Sequence, residues 1–356
     1  MTELLQIFRE ANAHDASDLH LRTGRPPRMR LHGELLPVAE MAPTREADLQ
    51  ALMKRFLTPL QESRFAAEGE VDCACVDDQG TRYRANFFRD STGLSAALRR
   101  IPSRMQTLAE LSLPPEVEQL AHLRRGLVLV TGATGSGKSS TLAALIDVIN
   151  HQYARNIITL EDPVEFTHKS ALSMIRQRAI GDDVPDFAAG VKDALRADCN
   201  VLLVGELRDI ETMRAALTAA ETGMLVYSTL HTNDTAQTVD RVIDIFPIEE
   251  QAQVRAMLAE SLAGVLSQTL LKNAKVRGRI PATELMITTP AIASIIRDGR
   301  SHEILNVIQG GKNKGMHRLD DSLERLVRED RIYKDEALAA CRNRARFERK
   351  PAGAAT

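Results

Sequence analysis

Tryptophan is absent from the 356-residue sequence, and aromatic residues make up only 4% of it. Platforms for single-stranded nucleic acid are built from aromatic faces on which bases stack, so this composition argues against one. An excess of one charge is missing too: 46 basic side chains stand against 48 acidic ones, a formal net charge of -2. That balance excludes a strongly basic DNA-binding surface, leaving room only for a local patch. No apolar run approaches the roughly 18 residues that cross a bilayer. The opening MTELLQIFRE is charged and amphipathic, unlike a secretory leader. The expectation is a cytoplasmic protein with no transmembrane segment and no direct nucleic-acid partner, meeting a membrane only through another protein. Cysteine is sparse: Cys73, Cys75, Cys199 and Cys341. One pair two residues apart, with no second pair, is poor zinc spacing, and reduced structural thiols are expected.

What is present changes character near residue 100. Before it, Leu4, Leu5 and Phe8 suggest an amphipathic helix, and SDLHLRTGRPPRMRLHGEL reads as two alternating strands around Gly24, Pro26 and Pro27. Leu49, Leu52, Met53 and Phe56 keep helical spacing. VDCACV and TRYRANFF form a second hairpin around Asp78, Gln79 and Gly80. Residues 1–100 thus read as a small α+β domain, and IPSRMQTLAELSLPP (101–115), rich in proline, as a linker. From 116 to 345 short aliphatic strands alternate with helices: LVLV, IITL, VLLV and LVYSTL. Continuous apolar strands of this kind suit a parallel sheet covered on both faces, an α/β fold. A long helix is expected to carry Val254, Met257, Leu258, Leu262, Val265 and Leu266, and the polar end of the chain (346–356) to fray.

Between the first of those strands and the next helix lies TGATGSGKSS. Gly132, Gly137, Lys138 and Ser139 fit the phosphate-binding P-loop, in which glycines let backbone N–H groups turn toward phosphate oxygens. Gly132, Ala133, Thr134, Gly135, Ser136, Gly137, Lys138, Ser139 and Ser140 are therefore the candidate ATP-binding residues. Lys138 supplies a charge near the β and γ phosphates, and the Ser139 hydroxyl a ligand for Mg²⁺. The strand before the motif and the apolar helix face after it (Leu142, Leu145, Ile146, Ile149) are the context this chemistry requires.

In open α/β sheets ligands bind beyond the carboxyl ends of the strands. Three further strands end in polar residues there: Glu161 in ITLEDPVEF, Glu206 in VLLVGELRD and His231 in VYSTLHTND. Transfer of a phosphoryl group to water needs a positioned nucleophile and compensation of charge on the γ-phosphoryl. Glu161 is the candidate to orient or deprotonate water, Glu206 to hold the Mg²⁺ shell, and His231 to sense the γ-phosphate. Asp209, by contrast, reads as a helix cap.

Taken together, GATGSGKSS, ITLEDPVEF, VLLVGELRD with TMRAALTAAETG, and GMLVYSTLHT running into TVDRVIDIFP closely resemble the type II/IV secretion ATPases, and among them the PilT/PilU-type pilus retraction motors. ASDLHL, RYRANFF, LRRIPS and MLAESLAGVLSQTLL extend the resemblance over nearly the whole chain. It implies a PAS-like N-terminal domain and a RecA-like ATPase domain, assembled as a homo-hexamer on the cytoplasmic face of the inner membrane. There it would act with a pilus platform protein to remove pilin subunits. It also implies that arginines of the N-terminal domain act in trans, for which Arg82, Arg84 and Arg99 are the candidates. Extension motors of the superfamily are similar but commonly carry a four-cysteine insert, which this chain lacks.

Three departures stand out. Met224 occupies a position where the family has histidine, LRADCN replaces LR-x-DPD, and AIASIIRDGR places Ala293 where the retraction motif has arginine. An accessory motor is therefore an alternative, alongside an extension-type ATPase and a RecA-like nucleic-acid motor. A small-molecule kinase would need an acceptor pocket and an arginine-rich lid, which the sequence does not offer. The two strand-end glutamates argue against a scaffold that binds nucleotide without hydrolysing it.

Overall fold

The computed structural model describes residues 2–31, 33–39, 41–101, 104–276 and 278–348, with side chains from residue 6 onward. Leu4, Leu5, Pro102 and the final residues 349–356 lie outside the described side chains. The chain forms two compact units: residues 1–105 with 162–167, and residues 106–161 with 168–356.

The first unit begins with α1 (Thr2–Ala13), β1 (Asp18–Arg22), β2 (Arg28–Leu31) and β3 (Glu34–Pro37). It continues through α2 (Glu46–Phe56), α3 (Pro59–Glu68), β4 (Glu70–Val76), β5 (Arg82–Asp90) and β6 (Gly93–Ile101). The six strands make one antiparallel sheet in the order β3-β2-β1-β6-β5-β4. Alternation sets its two faces. Val71, Cys73, Cys75, Tyr83, Ala85, Phe87, Ala96 and Leu98 turn inward against Phe8, Leu49, Leu52 and Phe65 of the helices. Tyr83 donates its buried hydroxyl to Asn12 Oδ1 (2.7 Å), so a polar tip in the core keeps a partner. Both expected hairpins are present, Leu19 opposite Met29 and Cys75 opposite Tyr83. Strands β3 and β6 and helix α3 carry weak patterns. The central stretch of β6, GLSAALRRI, lacks a clean alternation because Leu94, Ser95 and Ala96 are all buried.

The second unit holds β7 (Gly126–Thr131), α4 (Lys138–Gln152), β8 (Asn156–Glu161), β9 (Met174–Ala179), α5 (Phe187–Leu195) and β10 (Val201–Val204). Next come α6 (Ile210–Glu221), β11 (Leu225–Leu230), α7 (Thr235–Asp244), α8 (Ile248–Ser261), β12 (Leu262–Lys272), β13 (Arg279–Ile287) and α9 (Pro290–Arg297). A helical region closes it, including α10 (Ile304–Gly310) and α11 (Leu319–Arg328). The seven strands run β13-β12-β7-β11-β10-β8-β9, parallel apart from the β12–β13 hairpin. The four aliphatic strands read from sequence are buried on both faces. Two cores cover them, one with α5 to α9 and the other with α4 and the segment 108–123. Leu108 and Leu113, inside the stretch read as a linker, are buried in this second core.

Two expectations are corrected. The helix through Val254, Met257 and Leu258 stops at Ser261, and Leu262, Val265 and Leu266 belong to strand β12. An apolar run cannot by itself distinguish a buried helix from a buried strand. Gly264 marks the change: a Cβ there would lie 2.9 Å from Leu120 Cδ2 and 3.1 Å from the Met286 carbonyl, so β13 can approach only a bare backbone. The described start of the polar end, residues 346–348, is held in place. Arg346 pairs with Asp321 (2.8 Å) and Glu324 (2.7 Å), and Phe347 is buried against Leu323, Leu326 and Ile332.

Candidate functional site

Strand β7 is an interior strand of the sheet, flanked by β12 and β11, so the loop it feeds opens within the carboxyl edge rather than at its rim. Gly132, Gly135 and Gly137 all have positive φ (139°, 77° and 91°), a conformation that L side chains rarely adopt. At Gly132 space is decisive as well, since a Cβ would sit 2.2 Å from the Gln268 carbonyl oxygen. Lys138, the first residue of α4, is buried and folds back to donate to the carbonyls of Gly132 (2.8 Å) and Ala133 (3.1 Å). Ala133, Thr134, Gly135 and Ser139 are exposed around the mouth. The Ser136 hydroxyl is buried with no protein partner. Glycine-only backbone, a helix N-terminus, a buried ammonium and an unsatisfied hydroxyl together form a cradle that fits a polyphosphate.

Sequence reasoning missed a side chain that shapes this cradle. Gln268 of β12, 3% exposed, donates Nε2–H to the Ser136 carbonyl (2.6 Å) and accepts from the Thr141 hydroxyl (3.0 Å). It ties the turn to the helix that follows. The residue was invisible because the run around it reads as helix and its amide gains meaning only when β12 lies beside β7. Arg279 of β13 adds a longer bond to the Gly135 carbonyl (3.4 Å). A cavity of about 270 Å³ adjoins the loop, lined by Leu111, Ser112, Gly137, Thr141, Leu270 and Arg279 among others.

The other predicted residues of this sheet edge come from the ends of β8, β10 and β11. Glu161 ends β8, where its Oε1 accepts from Thr159 Oγ1 (2.7 Å) and from Gln177 Nε2 of β9 (3.1 Å). Glu206 follows β10 and meets His231, which follows β11: Oε1 and Nε2 are 2.9 Å apart. Arg208 holds the other carboxylate oxygen at 2.8 Å. Partial burial works to raise the Glu206 pKa, but the hydrogen bond and charge of Arg208 and the proximity of His231 outweigh it and hold the carboxyl below its usual range. The strand ends are stitched together. Gly205 N–H donates to the Leu160 carbonyl (2.8 Å), and the Thr229 hydroxyl to the Gly205 carbonyl (2.7 Å). Asp209 caps α6, accepting from the Thr212 amide (2.8 Å).

Arg82, Arg84 and Arg99 belong to the first unit and share the face of its sheet turned away from its core, with Arg84 directly across from Arg99. Arg82 donates to the Val164 carbonyl (2.9 Å) and the Thr167 hydroxyl (2.6 Å), in the segment 162–167 that joins this unit. Arg84 lies 3.8 Å from Asp72, and the largely exposed Arg99 pairs with Asp18 at 2.9 Å.

The family described as Type II/IV secretion system protein matches residues 2–337. The chain belongs to that family. Among individual relatives, the type IV pilus retraction ATPase PilT of Pseudomonas aeruginosa is 42% identical over 337 residues, covering 95% of this chain and 96% of its own. The type IV pilus ATPase PilU of the same organism is 35% identical, covering 95% of this chain and 88% of its own. A crystal structure of the pilus retraction motor PilT with bound ADP superposes with a TM-score of 0.89 at 38% identity, covering 97% of this chain and 99% of that one. The fold is therefore the family's α/β architecture, an N-terminal domain followed by a RecA-like ATPase domain.

The departures at Cys199, Asn200 and Met224 fall at the amino ends of strands β10 and β11. Met224 precedes β11 at the end opposite His231, is buried, and packs in the core. Seven residues of extended chain, roughly 23 Å, separate the two positions. Cys199 and Asn200 precede β10 at that same remote end. Asn200 Oδ1 accepts from the Asn156 amide (2.9 Å), and the Cys199 thiol donates to the Val201 carbonyl (3.1 Å). Within this family member, none of these three lies at the carboxyl edge that carries the P-loop.

Proposed function

We propose that this protein is an ATP-hydrolysing motor that powers retraction of a type IV pilus. One observation carries the reading: the P-loop at the carboxyl end of β7 shares its sheet edge with Glu206, His231 and Glu161, in a chain 42% identical over 95% of its length to a named retraction ATPase. The backbone amides of 132–139 and Lys138 would hold the phosphates, and the cavity lined by Leu111 and Leu270 the nucleoside. Mg²⁺, held through Ser139 and Glu206, would supply charge compensation between phosphates. Glu161 orients the attacking water and accepts its proton. His231, hydrogen-bonded to Glu206 three residues before the α7 cap Asp234, is placed to pass a change at the phosphate end into α7.

We further propose a ring of six copies, in which Arg82, Arg84 or Arg99 of one copy completes the site of another, and which meets the inner membrane through a platform protein. No helix among the described residues is long and apolar enough to cross a membrane. Purified protein is expected to consume ATP without an added acceptor and without DNA, and Lys138→Ala to abolish this. A strain lacking the gene is expected to carry excess surface filaments and lose surface motility. ATPase activity unaffected by Lys138→Ala would end this reading.

An accessory motor is the second reading. It is favoured by Ala293, partly buried on α9 and packed against the core, where the retraction motif carries an arginine. Expressing the chain in a strain without its own retraction ATPase separates the two, since an accessory motor leaves motility unrestored.

A further inference from the structure

We propose that Gln177 is a positioning residue for Glu161, with buried Thr159 as its co-worker. The inference rests on the reading of Glu161 as the group that orients the attacking water. β8 and β9 run parallel with Thr159 directly across from Gln177, so both side chains reach the carboxylate two residues further along β8. Both donate to the same atom, Oε1, at 2.7 Å and 3.1 Å.

The direction of these bonds is fixed by chemistry. An ionised carboxylate only accepts, and a hydroxyl and an amide NH₂ can both donate to it. A glutamine amide could in principle turn either end toward Glu161. Its carbonyl end is taken, because Gln177 Oε1 accepts from the backbone N–H of His168 at 2.8 Å, and a backbone N–H can only donate. The NH₂ end must therefore face the carboxylate. A glutamate side chain has three rotatable bonds and so several staggered rotamers open to it. Two donors on one oxygen select a single orientation and keep a charge-accepting group aimed before substrate arrives. That is how a positioning residue contributes to the rate without touching the substrate. Gln177 lies on the edge strand of the sheet, and its half-buried amide is joined at both ends to groups that flank the segment 162–167 in sequence.

The test uses the full-length protein with Gln177→Met and Thr159→Val, both near-isosteric and both lacking the donor, alongside Glu161→Ala. Each donor variant should lower kcat by about 10- to 100-fold, the range set by losing one hydrogen bond to a charged group. KM for ATP and affinity for ADP should stay at wild-type values in both, as should the Tm of Thr159→Val, whereas Gln177→Met also takes the acceptor from the His168 N–H and should lower Tm modestly. In the Glu161→Ala background, Gln177→Met should cause no further loss of the residual rate, because a positioning residue has nothing left to position. Wild-type kcat in both donor variants while Glu161→Ala is inactive overturns this inference alone. A parallel fall in ADP affinity, or a fall in the Tm of Thr159→Val, overturns it too, by showing a structural role. Substantial activity in Glu161→Ala instead removes the assignment of Glu161, and this inference with it.

Discussion

Nε2 of His231 and Oε1 of Glu206 stand 2.9 Å apart although 25 positions separate them in sequence, because β10 and β11 are neighbours in register and both residues follow their strand ends. If Glu206 holds Mg²⁺ as proposed, a histidine that serves as its partner rather than as a base has a clear kinetic signature. His231→Ala should leave nucleotide affinity within a few-fold and lower turnover by about 10-fold or more, the contribution of a charge-assisted bond of 1.5 to 3 kcal/mol. Steady-state ATPase assays with ADP titrations check both.

The same pair gives a pH prediction. The folded-state pKa of Glu206 is lowered, so its ionised form contributes stability that is present above the unfolded value of about 4.3 and lost as pH falls through the folded value. Thermal melts of wild type and Glu206→Gln should differ by a constant amount from pH 7 to about 5. The gap should narrow only on further acidification. A gap that already closes between pH 7 and 6 would show that another group governs it.

Gln268 should matter to the P-loop from outside the motif. Gln268→Leu removes a buried bond to the Ser136 carbonyl and one from Thr141, leaving both groups unsatisfied. The expected cost to nucleotide binding is about 1 to 3 kcal/mol, roughly 5- to 150-fold in Kd. Calorimetric titration with ADP measures it.

Arg342 lies in a stretch that looks like polar tail, yet it donates to the fully buried Glu284 at 2.6 Å. Glu284 also accepts from the amide (3.0 Å) and hydroxyl (2.9 Å) of Thr235, the first residue of α7. Arg342→Ala would strand a buried carboxylate, a change that costs about 3 to 5 kcal/mol. A clear fall in Tm is expected, whereas Arg344→Ala at an exposed neighbouring position should leave it near wild type.

For the arginines of the first unit, each alanine variant should keep ADP affinity, and the one that acts in trans should lose about 10³-fold or more in turnover. Arg99 and Arg84, whose exposed guanidinium groups pair with Asp18 and Asp72, can be removed with little effect on folding. Arg82, bonded to the 162–167 segment, should also lower Tm. Full turnover in all three variants would exclude these residues from the site.

Local chemistry made part of this protein legible from sequence. Four aliphatic strands, the glycines of 132–137 and the acidic residues at the ends of β8 and β10 declare themselves because each follows from backbone sterics, burial or phosphate charge acting over a few residues. Strands β12 and β13 did not, since an apolar run such as LAGVLSQTLL suits a helix equally well until Gly264 is seen pressed against β13. Only the tertiary structure decided that Gln268 braces the P-loop, that Gln177 and Thr159 converge on Glu161, and that Glu206 meets His231. Those facts depend on which strands are adjacent and in what register, and adjacency between strands far apart in sequence is fixed by the packing of the whole sheet rather than by any one segment.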